Sequence, residues 1–373
     1  MSGRWQRLYR GETTINFYGR RNIGFIASGL LLLVTIVSLF AQGLNLGIDF
    51  KGGVAFEMSV NGKITVEEAR TILEENKVEA SGAKIQTLSS GADERIRIQL
   101  EVLDSKVEES VREDLAKKVG ITSGDVSIEK VSATWGRGIT RDAIQALLTF
   151  LVLVSLFIAW RFEARMAAGA LAAVVHDVLI SVGVYSITGL EVTPATVVAF
   201  LTILGFSLYD TIVVFDKVNE NQKRFANTRV PYADIVNVSM NQTLMRSLNT
   251  TIAAVLPVLS LLVLGSGVFG AVALQEFALA LLVGMATGAY SSIFIASPVL
   301  GLLKERSRDY VSMRGQVSIG ADMAHVMATG TPQSRRARQI DNAVSTDAST
   351  PTPVPAVEAI LSHPPRPRKK SRR

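Results

Sequence analysis

The chain has 373 residues, 48% of them hydrophobic, and a mean hydropathy of +0.30. Soluble proteins of this size are usually hydrophilic on average, so the composition indicates a membrane protein. The lack of cysteine excludes disulfides and thiolate metal sites, and the three histidines are too scattered to form a metal centre. The net charge of +6 arises after Lys304, so it does not indicate a nucleic-acid-binding core.

The first predicted membrane span runs from Ile23 to Ala41 and follows a basic N-terminal segment, residues 1–22. A spanning helix needs about 20 mostly apolar residues, and this run is too long and too far along the chain for a cleaved signal peptide. Residues 138–303 are predicted to hold five further spans, namely Ala143–Trp160, Met166–Ile187, Ala195–Phe215, Leu248–Leu264 and Phe277–Leu303.

Residues 42–137 lie between the first two spans and are predicted to form a small α+β domain. Two capping boxes, Thr65–Glu68 and Ser105–Glu108, predict helices that end near Asn76 and Val119. The resulting order β-α-β-β-α-β is the split βαβ, ferredoxin-like arrangement. Short apolar or alternating runs predict the four strands, which are Val54–Val60, Ala83–Leu88, Arg95–Leu100 and Val126–Val131.

The flanks and short loops that are rich in lysine and arginine all lie on one side of the membrane. They occur in residues 1–22, after the second span and between the fourth and fifth spans, whereas Gly189–Pro194 and Gly265–Glu276 contain none. Basic flanks stay in the cytoplasm, so both termini are predicted to be cytoplasmic and the α+β domain to lie outside.

The segment 304–373 is rich in Ser, Thr, Pro and Arg and is predicted to be a disordered cytoplasmic tail. A solvated positive tail is one interpretation of its charge. Contact with anionic lipid headgroups is the other.

Four ionisable residues in or near the predicted spans need an explanation: His176, Asp177, Asp210 and Arg246. A charge at the centre of a spanning helix costs about 2.5–3.5 kcal/mol on insertion scales, so each is a functional candidate. An acid in an apolar site can carry a proton if desolvation raises its pKa. A purely structural acid at position 210 would instead be satisfied by hydroxyls such as that of Ser207.

The surroundings of these four residues leave alternatives open. Arg246 is predicted to reach a depth similar to that of Asp210 and to pair with it, although a snorkelling interfacial arginine is equally compatible with the sequence. Small residues on its helical face predict that Asp177 faces protein rather than lipid. His176 is expected to point about 100° away from Asp177, as a satisfied core histidine or as a proton shuttle.

Several motifs together resemble the SecF family of bacterial protein-export membrane proteins. Tyr209 departs from the Asn that usually precedes the aspartate in that family. The structural motif after the first span includes Asp49, Phe50, Gly52 and Gly53. The matching segments are Gly47–Gly53, Trp135-Gly136, His176-Asp177, Gly205–Asn221 and Asn241–Thr250.

The resemblance implies a six-helix bundle, half of a resistance–nodulation–division transporter, completed by a partner SecD in the bacterial cytoplasmic membrane. It implies that the complex uses the proton gradient to help draw unfolded secreted polypeptides from the SecYEG channel. In the family, the acid matching Asp210 and the arginine matching Arg246 are implicated in proton passage. From the residues themselves we expect contact with membrane lipids and no cofactor, nucleic-acid partner or enzymatic activity.

The resulting hypothesis is that protonation of Asp210 releases Arg246 and lets the helices repack. The movement would reach the outer domain through Gly52-Gly53. Two other functions remain compatible with the sequence: a proton-driven exporter of small molecules or lipids, and a non-transporting scaffold of the translocon.

Overall fold

The chain folds into a bundle of long helices that carries a small four-stranded sheet. The computed structural model describes residues 4–60, 64–90, 93–266 and 272–332. The helices are α1 (Arg4–Tyr9), α2 (Arg21–Ala41), α3 (Ile48–Lys51), α4 (Val66–Glu75), α5 (Ser105–Val119), α6 (Ala133–Arg161), α7 (Ala164–Thr188), α8 (Pro194–Arg224), α9 (Tyr232–Ser260), α10 (Val272–Ser291), α11 (Ser297–Glu305) and α12 (Ala321–Thr329). The strands are β1 (Gly53–Ser59), β2 (Lys84–Ser90), β3 (Asp93–Leu100) and β4 (Ser127–Val131).

The six predicted membrane spans are confirmed. Within the described residues, six helical segments are long and apolar enough to cross a membrane. They are longer than the apolar runs that predicted them because polar turns extend their ends. Helix α6, for example, begins after Ser132, whose hydroxyl accepts a hydrogen bond from the N–H of Trp135 at 3.2 Å. The segments are Tyr18–Ala41, Ala133–Arg161, Ala164–Thr188, Pro194–Arg224, Tyr232–Gly265 and Leu274–Glu305.

The predicted α+β domain is confirmed as a four-stranded antiparallel sheet packed on α4 and α5, here called the sheet domain (residues 53–131). The strand order β2-β3-β1-β4 places β3 between β1 and β2, which is the split βαβ arrangement. Its core includes five fully buried side chains: Phe56, Leu73, Ile96, Ile98 and Leu115. The alternating pattern of β3 therefore buries one face of the strand, as period-2 residues should.

One of the two predicted capping boxes forms. Thr65 accepts a hydrogen bond from the N–H of Glu68, whose carboxylate accepts one from the N–H of Thr65. The prediction at Ser105 is wrong by one residue: Ser105 is the first residue of α5, and the preceding Asp104 occupies the cap position without a side-chain hydrogen bond. Only one of the two helices thus gains this stabilisation.

The capping box should make α4 sensitive to acid. Hydrogen bonds from Lys118 and then from Thr65 lower the pKa of Glu68 to about 2. Because the pKa of Glu68 is lower in the folded state, its ionised form stabilises the helix fully at a pH above the ordinary pKa of 4.5. That stabilisation is lost as the pH falls toward about 2. Hydrogen exchange of the backbone amides of α4 in the full chain, corrected for the intrinsic rate at each pH, should therefore become faster as the pH falls from 4.5 toward about 2.

A variant pair checks that expectation. Glu68→Ala removes the acceptor of the box, so the same amides should exchange faster already at neutral pH and most of the acid dependence should be lost. Glu67→Ala is the matched control, because the side chain of Glu67 is 84% exposed and makes only a weak ion pair with Arg70, at 4.0 Å. Equal behaviour of the two variants would contradict the role of the capping box.

The predicted disordered tail is wrong for residues 304–332. Helix α12 packs on the bundle through Met323 and Val326, both 0% exposed, because one helical turn places these apolar side chains on the same face. Asp234 of α9 accepts hydrogen bonds from the N–H and hydroxyl of Ser318 at 2.6 and 2.7 Å. The remainder of the predicted tail, residues 333–373, lies outside the described residues.

The N-terminal segment packs on the same end of the bundle. Asn241 of α9 donates to the carbonyl of Ile15 at 2.8 Å and accepts from the hydroxyl of Thr13 at 2.7 Å. Asn237 accepts from the N–H of Tyr18 at 2.8 Å. Both terminal segments therefore contact the first turns of α9, which agrees with an even number of membrane crossings.

Candidate functional site

Asp177 lies near the middle of α7 and is fully buried. Its Oδ2 accepts hydrogen bonds from the hydroxyls of Ser207 on α8 (2.5 Å) and Ser291 at the end of α10 (2.7 Å). Its Oδ1 lies 3.0 Å from Nδ1 of His176. Asp177 therefore faces protein and connects three of the spanning helices.

His176 is also buried, and both of its ring nitrogens have partners. Its Nε2 lies 3.1 Å from the hydroxyl of Ser28 on α2, which lies 3.0 Å from the hydroxyl of Tyr290. Tyr290 donates to the carbonyl of Gly24 at 2.9 Å. The expectation that His176 points away from Asp177 is wrong, because the rotation of its side chain brings Nδ1 back to the neighbouring carboxylate.

The directions of these hydrogen bonds determine how many protons the His176–Asp177 pair holds. A carbonyl only accepts, so Tyr290 gives its proton to that acceptor and itself accepts from Ser28. Ser28 has then used its proton and accepts from Nε2–H of His176. One proton must consequently lie between Nδ1 and Oδ1, on either the imidazole or the carboxyl. These hydrogen bonds leave room for one proton between the two side chains.

Asp210 lies near the middle of α8, is 2% exposed, and is enclosed by hydroxyls of other helices. Ser247 of α9 donates to its Oδ1 and Ser292 donates to its Oδ2, each at 2.6 Å. An ionised carboxylate is an acceptor only, so both oxygens are satisfied in that form.

Two consecutive serines join the two acids. Ser291 binds Asp177 and Ser292 binds Asp210, at the point where α10 passes into the π-helical segment Ser292–Ala296. Such π-helical turns occur frequently at functional sites. Helix α10 also approaches α8 closely here, because a Cβ added to Gly288 would lie only 2.8 Å from the Cβ of Ser207. The two carboxylates thus belong to one hydrogen-bonded site.

The predicted pairing of Asp210 with Arg246 is wrong. Arg246 is exposed, and within the part of the chain that the structure describes no acid lies within ion-pair distance of it. The next residue, Ser247, is the one that faces Asp210. Successive residues of an α-helix point about 100° apart, so the orientation of α9 turns one toward α8 and the other away.

Two residues close to Asp210 in the sequence do not bind its carboxylate. Ser207, the kind of hydroxyl that a purely structural acid at position 210 would use, donates to Asp177 instead. Tyr209 is 48% exposed and is not among the hydrogen-bond partners of Asp210. The residue that departs from the family's Asn therefore makes no hydrogen bond to the carboxylate of Asp210.

Gly52 and Gly53 form the joint between the bundle and the sheet domain. Gly52 has a φ of 80°, and a Cβ there would lie 2.7 Å from the backbone of Ala133 at the start of α6. Gly53 has a φ of 149°, and its Cβ would lie 2.3 Å from the carbonyl oxygen of Leu100. Both positions require glycine. Phe50, just before them, is buried against the bundle.

Asp49 lies in α3, directly before this joint, and is partly exposed. Burial and then the nearby carboxylate of Glu191 raise the pKa of Asp49 above its ordinary value, while Arg97 opposes the shift. A second group of charges therefore lies at the end of the bundle that carries the sheet domain.

The sequence-based predictions missed Ser247, Ser291, Ser292 and Glu191. The adjacent serines within an apolar span were the available signal, but hydroxyls are also common where helices simply pack together. Among the described residues, no group of three or more His, Cys, Asp or Glu side chains is placed to hold a metal ion.

Two family models match the chain. The model described as protein export membrane protein SecD/SecF, C-terminal, matches residues 111–306, which include both buried acids. The model described as the SecD/SecF GG motif matches residues 37–63, which include the glycine joint.

Similar proteins agree with these matches. Protein translocase subunit SecF of Streptomyces coelicolor is 42% identical over 314 residues, which cover 83% of this chain and 82% of that protein. Protein translocase subunit SecDF of Thermus thermophilus is 35% identical over 301 residues, which cover 80% of this chain and 40% of that protein.

A solved structure shows the same fold. The crystal structure of SecDF, a translocon-associated membrane protein from Thermus thermophilus, matches with a TM-score of 0.71 and 36% sequence identity, covering 79% of this chain. This chain spans only 39% of that SecDF chain. Since the family models, the identity to SecF proteins and the fold agree over most of its length, the chain belongs to the SecD/SecF family of protein export membrane proteins.

Proposed function

We propose that the chain is the SecF-type subunit of a protein translocase and that it uses the proton motive force to promote export across the bacterial cytoplasmic membrane. Relatives with the name protein translocase subunit SecF support the translocation role, which is transport rather than catalysis. A SecD partner is supported by the Thermus SecDF relative, whose single chain includes the matching segment. The SecYEG translocon, unfolded secreted polypeptides and membrane lipids complete the proposed partners.

The proton-driven part of this proposal depends on one observation: two buried carboxylates in the middle of spanning helices are joined through Ser291 and Ser292. Intramembrane acids are costly and mark ion pathways. One proton fits between His176 and Asp177, and both oxygens of an ionised Asp210 accept hydrogen bonds from hydroxyls. The two acids are therefore placed so that a proton can be passed between neighbouring sites.

A proton that arrives at Asp210 would change the helix contacts. Protonation gives the carboxyl group an O–H donor, so we expect the hydroxyl of Ser247 or Ser292 to reverse its hydrogen bond and accept from it. Ser292 begins the π-helical turn between α10 and α11, so α10 is the element that we expect to move. This route replaces the release of Arg246, which has no contact with Asp210 here.

The available energy is sufficient for such a change. One proton that crosses 100 mV releases about 2.3 kcal/mol, which biases a two-state element appreciably. Helix α10 packs along α8 and contacts α7, and the hydroxyl of Tyr185 on α7 donates to the carbonyl of Glu276 near the start of α10 at 3.1 Å. Movement at the acids can therefore reach the end of the bundle that carries the sheet domain.

The surface of the bundle offers sites for the proposed partner. In the second and fifth spans only 6% of the most apolar stretch of 18 residues is buried within the chain, compared with 44–50% in the third, fourth and sixth spans. Helices α6 and α9 thus present their apolar faces to lipid or to SecD. With both termini in the cytoplasm, the sheet domain lies outside.

The Asp210→Asn variant tests the proposal. The amide keeps the shape of the carboxylate but cannot take up a proton, so proton flux in vesicles that contain the chain with SecD, and export in cells, should both fall strongly. Protein level and SecD association should stay normal. The matched control is Asp216→Asn on the same helix, since Asp216 is half-exposed and pairs with Arg161 at 3.0 Å at the surface.

The outcomes separate the alternatives. Normal proton flux and normal export in Asp210→Asn would overturn the proton-driven role and favour a scaffold. Loss of both activities in the control variant as well would show that the carboxylate of Asp210 has no special part.

A further inference from the structure

Glu191 lies in the loop between α7 and α8, at the end of the bundle next to the sheet domain, and is 2% exposed. The backbone of this loop is attached to the segment that leads into α3. The N–H of Val192 donates to the carbonyl of Asn45 at 2.8 Å, and the N–H of Gly47 donates to the carbonyl of Val192 at 3.0 Å. The loop therefore holds Glu191 firmly on the bundle.

The carboxylate of Glu191 accepts hydrogen bonds from the sheet domain. Lys84 of β2 donates through Nζ to Oε2 at 2.9 Å. Gln99 of β3 donates through Nε2 to Oε1 and Oε2 at 2.8 and 2.9 Å. One buried carboxylate of the bundle thus binds two neighbouring strands.

Three side-chain hydrogen bonds join the sheet domain to the bundle at Glu191. The glycine joint connects the same two parts through the backbone and allows no side chain of its own. Glu191 therefore adds polar side-chain contacts to a boundary that the backbone alone would leave free to pivot.

Other charges surround this carboxylate. Asp49 of α3 and Glu276 of α10 add negative charge, whereas Lys84 and Arg97 of the sheet domain add positive charge. Arg97 also pairs with Glu129 at 3.3 Å. Removal of one partner from a buried ion pair leaves the other charge uncompensated, which is strongly destabilising. Loss of Glu191 should accordingly weaken the boundary more than loss of an ordinary surface acid.

We propose that Glu191 is the positioning residue that fixes the sheet domain on the bundle, so that movement of the spanning helices is passed to the sheet domain through its carboxylate. The coupling part rests on the proposed function. The positioning part does not, because it concerns only the contacts of this chain.

Spin-label distances test the positioning part directly. The chain has no cysteine, so Gln42→Cys on the bundle and Glu113→Cys on α5, both exposed positions, give one defined label pair. With the full chain in detergent, the parent should show one narrow distance. Glu191→Ala should replace it with a broad distribution.

A control and a rescue complete the test. Glu108→Ala removes an acid of the same type that pairs with Lys130 at 2.7 Å inside the sheet domain, and it should leave the narrow distance unchanged. The double variant Lys84→Glu with Glu191→Lys reverses the ion pair and should restore the distance. Recovery by this reversal shows that the single variant had not merely failed to fold.

The results also separate this inference from the proposed function. Positioning is overturned if Glu191→Ala keeps the narrow distance, whatever its effect on export. If Glu191→Ala broadens the distance and reduces export while Asp210→Asn reduces export with the distance intact, both proposals are supported. If Glu191→Ala broadens the distance with normal export, positioning stands and coupling through Glu191 is overturned.

Discussion

Replacing Gly53 with alanine is expected to destabilise the full chain by roughly 2–5 kcal/mol, from backbone strain and overpacking together. The added Cβ would lie 2.3 Å from the carbonyl oxygen of Leu100, and the φ of 149° is unfavourable for any L side chain. The carbonyl cannot retreat easily, because Leu100 is the pairing partner of Val54 in the β1–β3 ladder. Thermal unfolding in detergent should show a clear loss of melting temperature.

The same substitution at another glycine shows whether the loss of stability comes from the close contact at Gly53. Gly82→Ala is the matched control, because no atom lies within 4 Å of the Cβ that it would add. That change should stay within about 0.5 kcal/mol of the parent, as is usual for exposed positions. Equal melting temperatures for the two variants would contradict the close approach at the joint.

Removal of both hydroxyls that bind Asp210, in the variant Ser247→Ala with Ser292→Ala, is expected to cost roughly 1.5–3 kcal/mol per hydrogen bond. The reason is that a buried carboxylate would lose the donors on both of its oxygens. The free energy of unfolding of the full chain in detergent measures the effect. Ser260→Ala is the control, since its exposed hydroxyl only donates to the carbonyl of Leu256.

A double-mutant cycle shows whether the carboxylate is the cause. In an Asp210→Asn background the same two serine substitutions should cost clearly less, because a neutral amide needs less compensation than a charge. An equal cost in both backgrounds would mean that the serines act through helix packing and not through Asp210.

Much of the fold could be predicted because its signals are local. Apolar runs of sufficient length specify spanning helices in any context, since a helix in lipid must satisfy its own backbone. The alternation of Arg95–Leu100 and the capping box at Thr65 similarly depend on neighbours only a few residues away. Ser105 and the segment that contains α12 were mispredicted where the local signal was ambiguous.

The candidate site could be predicted only in part. The cost of a charge in lipid marked Asp177 and Asp210 from the sequence, and both are buried at the centre of the bundle. The choice between Arg246 and Ser247 as the partner of Asp210 depends on the rotation of α9. That rotation is set by packing against other helices, which the sequence of α9 does not show by itself.

The sequence by itself determined the six spans, the order of strands and helices in the sheet domain, the glycine joint and the positions of the intramembrane acids. Only the tertiary structure decided that Ser291 and Ser292 link those acids, that the imidazole of His176 lies against the carboxylate of Asp177, and that Glu191 binds the sheet domain. Hydropathy, periodicity and capping act within one helical turn or one strand. Hydrogen bonds between residues more than 80 positions apart arise only when separate segments of the chain pack together.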